Sequence, residues 1–252
     1  MNAALRALVT FAGLVVLWQI VVVVTELPHY LLPSPGQVAA TLYDRADVLL
    51  ENARYTVFEI VAGLVLGIVF GALCALTLMA SRLARRWLLP VMLASQAIPT
   101  FAIAPLLVLW FGYGLASKIV MTVIVIFFSV ASSFYDGLRR TDPAWLDLGQ
   151  TMNARPWRVL WFVRVPAALP ALATGIRVAA VFAPIGAIIG EWVGASRGLG
   201  YLMLQSNARM QIDMLFAALL VLAVFAVGLY ALVNAALRRA ISWDSDRLPP
   251  ED

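Results

Sequence analysis

Long apolar stretches alternate with short polar ones along most of this chain. A helix needs about 20 apolar residues to cross the hydrocarbon core of a membrane, and its backbone polar groups must be satisfied within the segment. The pattern therefore predicts an all-α, polytopic membrane protein with six transmembrane helices, built as a single domain over residues 1–252. The predicted spans are about 7–25, 57–80, 87–111, 116–135, 168–192 and 214–236. Since no small-x-small cleavage site follows the first apolar run, we interpret that run as an uncleaved helix.

Arginine is concentrated in alternate connections. The segments predicted on one side carry Arg82, Arg85, Arg86, Arg139, Arg140, Arg155, Arg158, Arg164, Arg238, Arg239 and Arg247. The segments on the other side carry fewer basic residues, and acidic neighbours partly offset them. Because short cytoplasmic loops are enriched in Lys and Arg, both termini are predicted to lie in the cytoplasm.

Composition points to lipid as the solvent. The chain is 63% hydrophobic and 13% charged, with a mean hydropathy of +0.90. A soluble domain carries about 25% charged residues. The net charge of +4 is therefore interpreted as a topology signal, and no nucleic-acid partner is expected. Cys74 and His29 are each the only residue of their type, so we expect no internal disulfide and no metal site.

Two segments indicate how the helices are joined and packed. Residues 32–36, Leu-Pro-Ser-Pro-Gly, predict an elbow on the external side, with a short helix over 37–43. Gly63, Gly67 and Gly71 recur every four residues in the second span, with Ala75 next in the row. Small residues let helices approach closely, either within one subunit or at a subunit interface, and the sequence leaves both alternatives open.

The longest cytoplasmic connection predicts two short helices over residues 141–166. Thr141 or Asp142 can cap a helix that begins at Pro143, and Asn153 suits the left-handed conformation that ends one. The second helix is predicted to start at Pro156 and to end at residues 165–166, before the fifth span.

One face of the first helix is apolar, with Trp145, Leu148 and Met152 at helical spacing. Such a face could dock into a groove on a partner protein or lie on lipid head groups, and physics alone favours neither.

The same connection resembles the "EAA" loop of binding-protein-dependent ABC importer permeases. The resemblance lies in Asp147-Leu148-Gly149-x-x-x-Asn153, followed by Pro166. Asp147 stands where the family usually has Glu, Asn153 where it has Gly, and Val165 where it has Leu. Other segments resemble the branch that serves taurine, sulfonates, nitrate and thiamine-precursor pyrimidines. These are residues 32–35, 98–114, 190–192 and 198–201.

The resemblance implies a type I importer (MetI-like) permease fold in a bacterial inner membrane. It implies a homodimer of two permease copies, two ABC ATPase subunits on the cytoplasmic face and a substrate-binding protein outside. Residues 141–166 would then be the coupling segment that transmits ATPase movement. The ATPase-coupling residues would be Ala144, Trp145, Asp147, Leu148, Gly149, Met152, Asn153, Ala154, Arg155, Trp157 and Pro166.

No catalytic residue is predicted. A phosphate-binding P-loop needs Gly-Lys-[Ser/Thr], and the only lysine, Lys118, follows Ser117. We therefore expect a non-catalytic subunit with no cofactor of its own, while ATP and magnesium bind the partner ATPase.

Polar residues and prolines at membrane depth are candidates for the pathway. They are Gln96, Pro99, Thr100, Arg177 and Glu191. Glu191 and Arg177 lie too far apart on one helix to pair, and Glu191 is predicted to anchor the segment 198–201 instead. Because the spans hold little positive charge, a neutral or weakly charged solute is favoured. The resemblance favours a hydroxymethylpyrimidine-like thiamine precursor, with sulfonate, taurine, nitrate or another vitamin as alternatives. A secondary transporter is a further alternative, and it would differ in not requiring ATP.

Overall fold

The computed structural model describes residues 3–241 and 243, and this part of the chain is helical without strands. The helices are α1 (Ala3–Thr25), α2 (Pro35–Asp44), α3 (Ala46–Ala80), α4 (Arg82–Ala97), α5 (Thr100–Phe111), α6 (Leu115–Arg139), α7 (Pro143–Thr151), α8 (Pro156–Val159), α9 (Val165–Gly194), α10 (Leu199–Ala208) and α11 (Ile212–Ala240). The predicted all-α class is confirmed. Arg247, which entered the prediction of topology, lies outside the described residues.

Four helices are long and apolar enough to cross a membrane in the described part of the chain. They are α3, α6, α11 and the continuous helix Pro156–Gly194, which contains α9. Helices α4 and α5 together make a fifth candidate, and the apolar stretch of α1 over Ala12–Thr25 is shorter than a full span. The six predicted spans thus correspond to four continuous helices, one broken pair and one shorter apolar helix.

The third predicted span, 87–111, is wrong as a single helix. It divides into α4 and α5, which are bent by 105° at residues 98–99. Ile98 is extended, with φ −82° and ψ 124°. The ring of Pro99 disfavours helical backbone at the residue before it, so α4 ends there.

The predicted helix end at residues 165–166 is also wrong. The chain passes from α8 through a π-helical turn, Leu160–Arg164, directly into α9. In this turn the amide of Val165 donates to the carbonyl of Leu160. The wider turn lets Pro166 follow without breaking the helix, because its ring no longer has to meet a carbonyl four residues back.

Helix α6 lies between α3 and α9 and forms the centre of the bundle. A Cβ at Gly71 on α3 would lie 2.6 Å from the carbonyl oxygen of Phe127 on α6. On the other side, a Cβ at Gly175 of α9 would lie 2.8 Å from the carbonyl oxygen of Ser129. The glycine row of α3 therefore packs within this subunit, which decides between the two alternatives left open by the sequence.

The predicted elbow is confirmed. Ser34 and Gln37 form a reciprocal capping box at the start of α2. Thr41 on this helix donates to Asp213 of α11 at 2.9 Å, which ties the elbow to the end of the bundle opposite segment 141–166.

Candidate functional site

Segment 141–166 is built by local capping. The Asp142 carboxylate accepts from the amide of Ala144 at 2.9 Å, at the start of α7. Asn153 is left-handed, with φ 52°. The amide of Ala154 then reaches back to the carbonyl of Gly149 at 2.9 Å and closes the helix end. The predicted start and end of this helix are confirmed.

Large apolar side chains of segment 141–166 are exposed. We define the coupling surface as Trp145, Leu148, Met152 and Trp157, which are 53%, 60%, 74% and 64% exposed. Among the other predicted coupling residues, Ala144, Asp147, Asn153, Arg155 and Pro166 are exposed, Ala154 is half-buried and Gly149 is buried. The segment thus presents a surface that nothing within the described chain covers.

Behind the coupling surface, a groove of about 400 Å³ separates the segment from the end of α3. Leu146, Gln150 and Trp157 line one side and Met79 the other. Arg164 also lines the groove, and its guanidinium donates to the carbonyl of Leu138 at 2.9 Å. This bond links the end of the segment to the end of α6.

A buried polar cluster lies at the opposite end of the bundle. We call Thr56, Glu59, Lys118 and Glu191 the Glu191 cluster; their exposed fractions are 0%, 1%, 6% and 1%. Thr56 donates to one Glu191 oxygen at 2.6 Å. The other oxygen accepts from the amides of Gly200 at 2.5 Å and Tyr201 at 3.3 Å.

The glycines next to this cluster leave room for the Glu191 carboxylate. Gly198 has φ 117°, and a Cβ there would overlap the carboxylate. Asn52 accepts from the Gly198 amide at 2.9 Å. The predicted contact between Glu191 and segment 198–201 is therefore confirmed, and it joins α9, α3 and α10.

Sequence reasoning missed Thr56, and it also missed Lys118. Its ammonium lies 3.8 Å from a Glu59 carboxylate oxygen and 3.4 Å from the carbonyl of Tyr113. The signal was available, since the chain has one lysine and it begins an apolar run. The sequence did not identify Glu59 as the partner of Lys118, because Glu59 belongs to another helix.

At the rim of the cluster, exposed Arg197 donates to the hydroxyl of Tyr55. This hydrogen bond raises the pKa of the Arg197 guanidinium above its usual range.

The structure does not bring the five pathway candidates together. Gln96, Pro99 and Thr100 lie at the bend between α4 and α5, where Gln96 and Pro99 are exposed. Arg177 donates to Asn234 of α11 at 3.0 Å, and Glu191 belongs to the buried cluster. Arg177 and Glu191 are not paired with each other, as expected. A pathway role for these residues stays a prediction.

The helix bundle, its apolar outer faces and its uncovered helix pair define a polytopic membrane protein. The comparisons with known proteins identify the family. Residues 67–242 match the family described as "Binding-protein-dependent transport system inner membrane component", and the chain belongs to it.

Three similar proteins are named as permeases, and the chain matches each of them over nearly its whole length. The chain is 52% identical to a probable ABC transporter permease of Haemophilus influenzae, over 94% of this chain and 97% of the relative. It is 34% identical to the formylaminopyrimidine transport permease ThiX of Halalkalibacterium halodurans, over 95% and 96%. It is 32% identical to the riboflavin permease RibX of Chloroflexus aurantiacus, over 96% and 91%.

A solved structure shows the same fold. The permease chain in an inward-facing structure of the MetNI methionine ABC transporter superimposes with a TM-score of 0.62 at 19% identity, covering 79% of this chain and 97% of that one. This protein is therefore an ABC importer permease subunit with the type I fold.

Proposed function

We propose that this permease imports a small, weakly charged heterocycle, with a hydroxymethylpyrimidine-like thiamine precursor as its substrate. A binding protein delivers the solute outside, and a separate ATPase with ATP and magnesium drives the transport. The similarity to ThiX, at 34% identity, and to RibX, at 32%, supports a heterocycle. The taurine permease TauC of Escherichia coli and the putative sulfonate permease SsuC of Bacillus subtilis are less similar, at 28% and 24%.

The observation that carries this choice is the pairing of Lys118 with Glu59. A lysine at membrane depth would attract an anionic solute if it were free. Here a buried carboxylate already lies 3.8 Å from its ammonium, so it offers no strong site for a sulfonate.

A sulfonate or taurine substrate is the second candidate, and Arg177 favours it. This guanidinium is half-buried at membrane depth, and its described partner is the neutral amide of Asn234. Its positive charge is therefore not cancelled locally, and it could serve an anion.

Purified permease, reconstituted in liposomes with its ATPase and binding protein, distinguishes these substrates. We expect ATP-dependent uptake of radiolabelled hydroxymethylpyrimidine or its formylamino analogue, and little uptake of taurine. Preferred uptake of taurine, lost in Arg177→Gln, would establish the second candidate instead. Uptake that persists without ATP on an ion gradient would indicate a secondary transporter.

For the mechanism, we propose a homodimer of permease copies, each holding one ATPase through the coupling surface on the cytoplasmic face. The exposure of Leu148 and Met152, at 60% and 74%, supports a partner there. Asp147 and Arg155 are exposed and form no ion pair within the described residues, so they are free to bond across such an interface.

Two substitutions test the proposed contact. Asp147→Lys reverses a charge at the surface, and Asn153→Val places a β-branched residue at φ 52°, where it is strained. We expect both to lose ATPase pull-down while the permease still inserts, and Asn153→Gly to retain it. If pull-down and transport survive both changes, segment 141–166 is not the coupling element.

A further inference from the structure

Two arginine side chains converge on one tyrosine at the arginine-rich end of the bundle, beside segment 141–166. The guanidinium carbon of Arg85 on α4 lies 5.9 Å from the ring centroid of Tyr135 on α6. That of Arg139, at the end of α6, lies 5.6 Å from the same centroid. Each distance is within the range of a cation–π contact, so two positive charges lie next to one ring.

Neither charge is balanced by a carboxylate. The ion pair between Lys118 and Glu59 is the only one within 4.0 Å in the described part of the chain. The acidic residues of this end, Asp136, Asp142 and Asp147, make none. The Nε and Nη2 atoms of Arg85 reach the carbonyl of Leu78 at 3.4 Å, which is long for a hydrogen bond. By contrast, Arg164 donates to the carbonyl of Leu138 at 2.9 Å, so it is not part of this site.

The hydroxyl of Tyr135 is the second observation that points to a ligand. Tyr135 is 4% exposed, and its hydroxyl has no hydrogen-bond partner. Buried hydroxyls are nearly always bonded, so an unpartnered one on a ring in contact with two guanidinium groups points to an acceptor from outside the chain.

Two guanidinium groups supply only donors and the phenol hydroxyl adds one more, which suits an oxyanion. Guanidinium matches phosphate oxygens with paired N–H groups. The same turns of α4 expose Leu83 and Trp87, at 68% and 66%, as expected where a helix meets the membrane surface. Basic pockets between transmembrane helices on the cytoplasmic side bind anionic lipid head groups.

We propose that Arg85, Arg139 and Tyr135 form a binding site for the phosphate group of an anionic phospholipid from the cytoplasmic leaflet. The site is independent of the transported substrate. A lipid held there links α4, the first half of the bent pair, to the end of α6.

The test compares lipid retention by the full-length permease with its ATPase. The complex is purified from membranes, exchanged into nanodiscs of phosphatidylcholine with a minor share of phosphatidylglycerol, and analysed by native mass spectrometry. We expect phosphatidylglycerol to stay bound preferentially, and each of Arg85→Gln and Arg139→Gln to lower its retention about fivefold. Tyr135→Phe lowers it by a smaller factor, and Arg209→Gln, on an exposed arginine at the opposite end, leaves it unchanged.

Two results would overturn the proposal. One is equal retention of phosphatidylglycerol in wild type and in all three site variants. The other is displacement of the lipid by millimolar inorganic phosphate, which would make the source a free anion. Tyr135→Phe guards against misfolding, because removing an unpartnered hydroxyl should leave the melting temperature in pure phosphatidylcholine unchanged. With phosphatidylglycerol present, the same variant should gain less stability than wild type.

Discussion

The two ends of this helix bundle differ in which side chains they bury and which they expose. At the end that holds the Glu191 cluster, charged side chains are buried and paired with one another and with backbone amides. At the other end, segment 141–166 exposes large apolar side chains and unpaired charges. The first end finds its partners within its own chain, apart from one Glu59 carboxylate oxygen without a hydrogen-bond partner, whereas the second leaves its groups uncovered in the described chain. The contrast separates residues that hold the subunit together from residues that we propose bind the ATPase.

The largest effect is expected from Glu191→Leu. The change leaves Thr56 and the amides of Gly200 and Tyr201 buried without an acceptor. Removing one member of a buried charged network costs about 3–5 kcal/mol. We expect a clearly lower melting temperature in detergent and no transport. The exposed Glu51→Gln on α3 is the control, and equal melting of the two variants would contradict the role given to Glu191.

Next in size is Leu148→Asp on the coupling surface. Leu148 is 60% exposed in the isolated subunit, so its replacement should leave the melting temperature nearly unchanged. A charge inside a protein interface is disfavoured, and we expect binding of the ATPase to fall by about tenfold or more. Leu204→Asp, at an exposed position of α10, should bind the ATPase normally. A drop in subunit stability without loss of ATPase binding would show that Leu148 stabilises the subunit and does not contact the ATPase.

A smaller effect is expected from Lys118→Met. It leaves Glu59 buried without the cation that lies 3.8 Å away. We expect a loss of stability that the second change Glu59→Gln partly restores, since the pair is then removed together. Thermal unfolding of the two single variants and the double variant measures the coupling. Additive effects would show that the ion pair does not stabilise this end.

The smallest effect is expected from Gly149→Ala. A Cβ there would meet Val159 at 3.4 Å, which is ordinary contact. At the opposite end, a Cβ at Gly200 would lie 2.8 Å from a Glu191 oxygen. We therefore expect Gly149→Ala to transport within about twofold of wild type, since the added methyl group fits without displacing a neighbour. Gly200→Ala should unfold at a lower temperature. The reverse order would contradict the contrast between the two ends.

Sequence reasoning succeeded where the determining contacts are local. The caps at Asp142 and Asn153 lie beside the helix that they bound, and Glu191 lies 9 positions from Gly200. These contacts follow from residue type and spacing. The predicted orientation of the termini, which follows from where arginine is concentrated along the chain, stays a prediction.

Non-local geometry could not be predicted in this way. Thr56 and Glu191 meet across 135 positions, and only the packing of α3 and α9 against α6 brings them together. Pro99 was identified as a pathway candidate, and the angle of 105° depends on what surrounds the two half-helices. The π-helical turn at Leu160–Arg164 was missed for a related reason, since a helix can absorb a proline by widening as well as by ending.

Labelling of a single cysteine at position 148 tests the central claim most directly. The variant Leu148→Cys is made in a Cys74→Ala background, because Cys74 is the only native cysteine and is buried. A membrane-impermeant maleimide should label it in inside-out vesicles and not in right-side-out ones, and added ATPase should block the reaction. Labelling from the external side, or labelling that the ATPase never blocks, would contradict the account.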